Sequence, residues 1–310
     1  MRVASLGSVN VDCVRRLSAA ALASLVAEHD PFPAAGETLS VASAGDLPPP
    51  DETRLGGKGA NQAVAAARAG SDAALLGVVG PDAPDHRVRE TLTDRGVDAT
   101  GLETGQADTG KAHVFVAADG ENRILVVPGA NDGVDSDYVA RHRGAVLAAD
   151  ALLLQNEIPV PAMDALLTAL DGRADAPIVV LDPAPPAGVA PLLAHPAVSY
   201  VTPNEHEYDA LAAAGALDGF DGTVIQTRGA DEVRIEGAAG AFAVSPPPAE
   251  PVDTTGAGDA FAGVLATRLA AGDDLGDAVA LAAAAGALAT ERAGAQSPPT
   301  LSAIRRRLRG

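Results

Sequence analysis

Six short runs rich in Val and Leu recur along this chain, and alanine-rich stretches with helical spacing lie between most of them. The apolar runs cover residues 3–7, 73–79, 151–155, 178–182, 199–202 and 223–227. The helical stretches cover residues 59–68, 85–94, 137–149, 161–170 and 205–214. Strands without polar alternation need burial on both faces, and helices between them supply it. The pattern therefore predicts an α/β fold: a three-layer sandwich with a mostly parallel central sheet. Three more helical segments follow from Asp259 onward. No long linker or internal repeat interrupts the 310 residues, so the whole chain, 1–310, reads as one domain.

Two regions fall outside this rhythm. Residues 31–54 contain Pro33, Gly36, Gly45 and Pro48 to Pro50, which is poor core material. Residues 111–116 and 123–127 alternate like strands around Ala118-Asp119-Gly120-Glu121-Asn122, a hairpin signature. Together they predict a small β lid outside the main sheet, built from segments of approximately 31–55 and 109–127.

Composition narrows the partners. Against 41 acidic residues stand 22 basic ones, a net charge of −19, and only Lys58 and Lys111 are lysines. Nucleic-acid binding needs a basic footprint and is excluded. The acidity suits solubility in a high-salt cytoplasm, or else reflects composition bias alone. Cys13 is the single cysteine, so no intrachain disulfide forms, and a small buried residue is expected there. Residues 1–12 hold no apolar signal segment and residues 279–290 are too short to span a bilayer, so a soluble, cytoplasmic protein with no membrane partner is expected. None of the six histidines shows metal-ligand spacing.

Three motifs carry chemistry. Asp253-Thr-Thr-Gly-Ala-Gly-Asp-Ala-Phe261 leads into a helix with almost no side chain at Gly256, Ala257 and Gly258, so backbone N–H groups and the dipole's positive end lie open to an anion. The carboxylate of Asp259 beside such a site makes sense as the acceptor of a proton from a hydroxyl attacking a phosphate. Phosphoryl transfer is the implied reaction. Leu55-Gly-Gly-Lys-Gly-Ala-Asn-Gln-Ala63 is not a Walker A loop, because glycine follows Lys58. Its glycines admit a ligand, and Lys58 and Asn61 suit a polyhydroxyl one; an exposed surface lysine is the alternative. Gly7-Ser-Val-Asn-Val-Asp12 ends the first strand, where open α/β sheets bind ligands, with Asn10 and Asp12 pointing the same way if extended. Plain turn chemistry explains those residues equally well.

These motifs, with Thr202-Pro-Asn-Glu-His-Glu207 and Thr227-Arg-Gly229, resemble the ribokinase (PfkB) carbohydrate kinases in order and spacing over essentially the whole chain. The segment from Gly57 to Ala67 is most similar to the ribokinase branch. The resemblance implies Asp259 as catalytic base, with Gly256, Ala257 and Gly258 as the anion hole, a division of labour in which positioning and electrostatics dominate. It implies sugar contacts from Asn10, Asp12, Gly57, Lys58, Asn61 and Glu157, and a magnesium and phosphate region at Asn204 and Glu207. Those two could equally cap a helix. Thr227, Arg228, Gly229, Ala230 and Asp231 match the nucleotide loop, with Asn204 and Gly258 also near the nucleotide. Asp253 and Thr255, with carbonyls at Thr290, Ala293 and Ala295, resemble a monovalent-cation site, expected to take K⁺.

The implied activity is ATP- and Mg²⁺-dependent phosphorylation of D-ribose at its 5-hydroxyl, by a homodimer paired through the lid. Other acceptors within the family are a nucleoside, a deoxy- or ketosugar, or a sugar phosphate; for the last, Lys111 and Arg123 are the cations to inspect. A non-catalytic sugar or nucleotide sensor is the reading from another class. A dinucleotide-dependent dehydrogenase is disfavoured because no early glycine fingerprint follows the first strand. The chain departs from typical ribokinases by extra residues in 15–30 and 47–52, and by Lys111 where an apolar residue is usual.

Overall fold

The computed structural model describes residues 1–35, 37–117, 121–237 and 240–309. In chain order it contains β1 (Arg2–Leu6), β2 (Asn10–Leu17), α1 (Ala19–Glu28), β3 (Thr38–Ser40), β4 (Glu52–Gly56), α2 (Lys58–Arg68), β5 (Asp72–Val79), α3 (Val88–Asp94), β6 (Val97–Asp98), β7 (Leu102–Thr104), β8 (Gly110–Ala117) and β9 (Asn122–Val127). After a short 3-10 turn, Gly129–Gly133, come α4 (Ser136–Leu147), β10 (Ala151–Gln155), α5 (Val160–Leu170), β11 (Ile178–Asp182), α6 (Ala190–Leu193), β12 (Val198–Val201), α7 (Glu205–Ala213), β13 (Thr223–Gln226), β14 (Val233–Gly237), β15 (Gly240–Val244), α8 (Ala257–Ala270), α9 (Leu275–Thr290) and α10 (Leu301–Arg307).

The main sheet runs β15-β14-β13-β12-β11-β10-β1-β5-β6, with β7 also on β5. It is parallel except for β14 and β15, an antiparallel extension absent from the sequence expectation. Side chains alternate between two apolar layers. Leu152 and Leu154 of β10 pack with α4 and α5, while Leu153 packs with α8 and α9. All three are fully buried, and each buried leucine contributes about 1.5–3 kcal/mol. From β1 the chain first builds outward through β5 and β6, then returns to start the other half at β10. That reversal beside β1 is a topological switch point, where the carboxyl ends of strands leave a crevice.

The second sheet, β3-β9-β8-β2-β4, combines the two irregular regions with a strand that hydropathy does not reveal. Residues 10–12 do not simply close the first strand; they begin β2, which pairs with β4 and β8. The strand reads Asn-Val-Asp-Cys-Val-Arg-Arg-Leu, and its Arg15 is buried. Arg15 offsets that cost by donating from Nε to the Pro48 carbonyl at 2.6 Å and by lying over the Phe115 ring. The extra residues after Leu17 form α1, capped by Ser18. Its Leu25 joins Phe115 and Leu125 in a small core over one face of the second sheet. The expected hairpin turn at Ala118, Asp119 and Gly120 lies outside the described residues, as does Gly36.

Alanine and glycine serve one purpose between the layers, the close approach of helices. A Cβ on Gly263 of α8 would lie 2.6 Å from both the Ala65 Cβ and the Gln62 carbonyl oxygen of α2. Helix propensity alone predicts that Gly263→Ala stabilises by about 1 kcal/mol. The clash with backbone predicts the opposite, a net loss of about 1–3 kcal/mol by urea unfolding with the m-value unchanged.

Candidate active site

The carboxyl ends of β1, β10 and β11 and the N-termini of α2 and α8 bring the catalytic candidates together. Asp259, in the first turn of α8, is only 5% exposed. Its Oδ2 accepts from Asn61 Nδ2 at 2.9 Å and its Oδ1 from Gln62 Nε2 at 3.1 Å. Helix periodicity explains the pair: Asn61 and Gln62 are successive buried residues of α2 on the flank facing α8. Each carboxylate oxygen keeps further acceptor capacity. The helix begins at Gly256 with φ +78°, and no side chain caps it. A Cβ at Gly256 would strike the Ala295 carbonyl oxygen at 2.6 Å, whereas one at Gly258 would meet open space. The N-terminus of α8 is thus bare on the side where an anion would sit.

Lys58 ends in the same cluster. Its Nζ lies 3.0 Å from Asp182 Oδ2 and 3.8 Å from Asp259 Oδ1. Burial would lower its pKa, yet Asp182, Asp259, Glu157 and Glu207 hold the ammonium well above an ordinary lysine. Glu157 follows β10; its Oε2 accepts from the Lys58 backbone N–H at 3.1 Å and from the Ser8 hydroxyl. Burial raises the Glu157 carboxyl, opposed chiefly by Lys58. For Asp259, burial again raises the pKa, Lys58 lowers it and Asp182 raises it, leaving it above the usual carboxylate range.

Asn10 and Asp12 do share one side of β2, but they differ in role. Asn10 is buried, and its Oδ1 accepts from Asn131 Nδ2 at 2.8 Å. Asp12 lines a cleft of about 890 Å³ between the second sheet and the C-terminal loop, with Arg54, Val114, Asp253 and Gly294 also in its walls. Lys111 and Arg123 do not line it. Lys111 instead pairs with Asp108 at 3.2 Å and Asp82 at 3.8 Å. Arg54, which does, is held bidentately by Glu52 at 2.6 and 2.8 Å.

The remaining predicted residues surround this centre. Asn204 and Glu207 form a complete capping box on α7. The capping reading of that motif is the one seen; burial and the nearby Asp182 also raise the Glu207 carboxyl, with Asp259 adding to the effect. The loop Thr227–Asp231 leaves β13 beside them: the Thr227 N–H donates to the Pro203 carbonyl at 2.9 Å, and Arg228 pairs with Glu205 at 3.2 Å. Gly229 (φ +59°), Ala230 and Asp231 are exposed at its tip. Asp253 accepts from Thr255 N–H and Gly294 N–H, both at 2.9 Å, joining the two loops that also carry Ala293 and Ala295. Although burial pushes Asp253 up, those donors hold its carboxyl below the usual value. Thr290 differs from its predicted role: its carbonyl already accepts from Val252 N–H at 2.7 Å and Asp253 N–H at 3.0 Å, so both lone pairs are taken. Among the described residues no group of three or more His, Cys, Asp or Glu side chains is arranged to hold a metal ion. Likewise, no helix among them is long and apolar enough to cross a membrane.

Four participants escaped the sequence reading: Ser8, Gln62, Gln155 and Asp182. Gln62 adjoins Asn61, and Asp182 ends an apolar strand at the ligand-binding edge, so position was the available signal. Two buried acceptors in the centre, Asn61 Oδ1 and Gln155 Oε1, have no hydrogen-bond partner. An unpartnered acceptor of this kind at Asn61 suits a ligand that donates hydroxyl protons.

Asp12 gives a stability test with a definite sign. Burial, followed by Glu157 and Asp259, raises its carboxyl from 3.8 to about 7, against the pull of Arg54. The folded state then binds the proton more tightly than the unfolded one, so folding stability is lost as pH rises from about 4 to about 7. Asp12→Asn should match the parent's folding stability below that window and exceed it above, by on the order of 4 kcal/mol, read by urea unfolding across pH.

Residues 43–301 match the family model described as pfkB family carbohydrate kinase. A ribokinase of Bacillus subtilis (strain 168) is 36% identical over 277 residues, covering 88% of this chain and 91% of its own. A crystal structure of ribokinase from Thermotoga maritima superposes with a TM-score of 0.80 at 27% identity, over 99% of both chains. One from Cryptococcus neoformans var. grubii, in complex with ADP, gives 0.76 at 30% identity, again over 99% of each. The bare helix start, the buried Asp259 carboxylate and the parallel sheet thus occur in a chain that belongs to the pfkB family of carbohydrate kinases.

Proposed function

We propose that the protein is an ATP-dependent ribokinase, transferring the γ-phosphoryl group to the 5-hydroxyl of D-ribose. The observation that carries this reading is Asp259, fixed by Asn61 and Gln62 at the bare N-terminus of α8. As the sugar hydroxyl attacks, Asp259 takes its proton; the N–H groups of Gly256 and Gly258 face the charge on the transferring group, joined by that of Ala257 once it leaves the Thr254 carbonyl, to which it donates at 3.2 Å. Asn10, Asp12, Gly57, Lys58, Asn61 and Glu157 orient the sugar, and the second sheet acts as a lid that excludes water. The nucleotide lies along Thr227–Asp231 and Asn204.

Mg²⁺ bound with ATP neutralises phosphate charge. The crowding of Glu207, Asp182 and Asp259 around one lysine suits a divalent cation nearby, and Asn204 and Glu207 are the residues to hold its region. The paired loops at Asp253, Thr255, Ala293 and Ala295, without Thr290, would hold K⁺, which would steady the turn under Gly256. Of the cations near the cleft, Arg54 is already paired with Glu52, whereas Arg95 lines the cleft with a buried Nη1 that has no hydrogen-bond partner, so a sugar phosphate is the second reading of the acceptor. For pairing with a second copy, α1 covers one face of the lid and the cleft underlies the other, which leaves the edges β3 and β4. Light scattering at micromolar concentration distinguishes one copy from two.

A coupled ADP-release assay over pentoses, hexoses and nucleosides tests the reading. Ribose should give the highest kcat/KM. Negligible turnover with ribose contradicts the proposal, and tight ribose binding without ADP formation would favour a sensor.

A further inference from the structure

Asp182 takes no part in the proton transfer set out above, yet it accepts from two members of the central cluster, Lys58 and Gln62. It ends β11 and is 5% exposed. Its Oδ2 accepts from Lys58 Nζ at 3.0 Å and from Gln62 Nε2 at 2.8 Å, and its Oδ1 from the Ala184 N–H at 3.1 Å. The same Lys58 ammonium stands 3.8 Å from Asp259 Oδ1, and the same Gln62 amide donates to that oxygen at 3.1 Å. Two carboxylates therefore share one ammonium and one amide, and the ammonium is closer to Asp182.

The amide cannot turn over to relieve the sharing. Gln155 Nε2 donates to Gln62 Oε1 at 2.7 Å, and a flipped Gln62 would aim that oxygen at two carboxylates. Its two N–H bonds are thus committed, one to each aspartate. Lys58 is the mobile member, with three donors on a flexible stem. Resting on the functional reading of Asp259 as base, the geometry points to Asp182 as a positioning residue that keeps Lys58 from closing onto Asp259, so that an oxygen of Asp259 stays open to the acceptor hydroxyl. Without the Asp182 charge, Lys58 moves to Asp259 Oδ1, occupies its free acceptor position and makes the base weaker. Among the described residues, Glu157 and Glu207 also act on Lys58, and Asp12 and Glu157 face Asp259, all carboxylates; the cation nearest to them, Arg54, acts on Asp12 and is held by Glu52.

The effect on Asp259 has one sign. Asp182 raises its pKa and Lys58 lowers it, so removing the first and drawing in the second both act downward. In the full chain, Asp182→Asn should lower the titration midpoint of the Asp259 carboxyl by on the order of one pH unit. Carbon-13 NMR of aspartate-labelled protein reads this, with the Asp259 signal identified by its loss in Asp259→Asn. The acid limb of kcat for ribose should move the same way, while the plateau falls by roughly tenfold or more. Asp182→Glu should recover the midpoint, which a merely structural role would not produce. Should Asp182→Asn not fold, Asp182→Ala serves, since it places no donor against Lys58 and Gln62. A midpoint that is unchanged or raised overturns the inference. Because the titration needs no turnover, a parent inactive on ribose would contradict the functional reading while the midpoint still decides this one.

Discussion

The close contact of α2 with α8 is the constraint on which the site depends. Gly263 has no Cβ, and Ala65 presents only a methyl group, so the two helices meet almost backbone to backbone. One turn toward the N-terminus of α8 stands Asp259, and directly across are Asn61 and Gln62. A larger residue at the contact would separate the base from the amides that orient it. The alanine-rich composition, which looked like a mere bias, is thereby tied to function, because small residues set the spacing within which these hydrogen bonds reach. The β1 turn at Gly7 packs against the start of the same α2 helix, as the 2.6 Å approach of a Gly59 Cβ to the Gly7 carbonyl carbon shows.

Into that frame the fold places an excess of negative charge. Glu157, Asp182, Glu207 and Asp259 surround Lys58, and Asp12 faces two of them; burial raises the pKa of Asp12, Glu157, Glu207 and Asp259. Such an arrangement costs stability, and active sites commonly bear that cost. What it provides, on the proposed reading, is a base whose proton affinity is higher than that of an exposed aspartate, beside a helix terminus that also favours negative charge. The two features are complementary: the helix start favours an anionic phosphoryl group, and the carboxylate removes the proton that would otherwise accumulate on the attacking oxygen.

Much of this was legible in the residues. The parallel sheet followed from runs such as Leu152, Leu153 and Leu154, whose alternate burial in two layers is what an unbroken apolar run means. The helix start near Gly256, with the Asp259 carboxylate in its first turn, followed from residue size and charge alone. The second sheet was half legible. Its strands at Gly110–Ala117 and Asn122–Val127 alternate visibly, but β2 hides a buried arginine that only long-range partners, the Pro48 carbonyl and Phe115, make tolerable. Asp182 and Gln155 were illegible for a related reason. Each is one polar residue closing an apolar strand, and its role lies in partners more than ninety positions away. The capping box at Asn204 and Glu207 shows the converse, a local motif legible in the sequence because its partners lie three residues apart.

The central claim is that the buried Asp259 carboxylate takes the proton of the acceptor hydroxyl during phosphoryl transfer. Rapid-quench single turnovers with ATP and ribose, comparing the parent with Asp259→Asn, test it most directly. Transfer should slow by about 10²–10⁴-fold, with equilibrium binding of ATP retained. Transfer within about threefold of the parent rate would contradict the claim, since general-base assistance would then be absent.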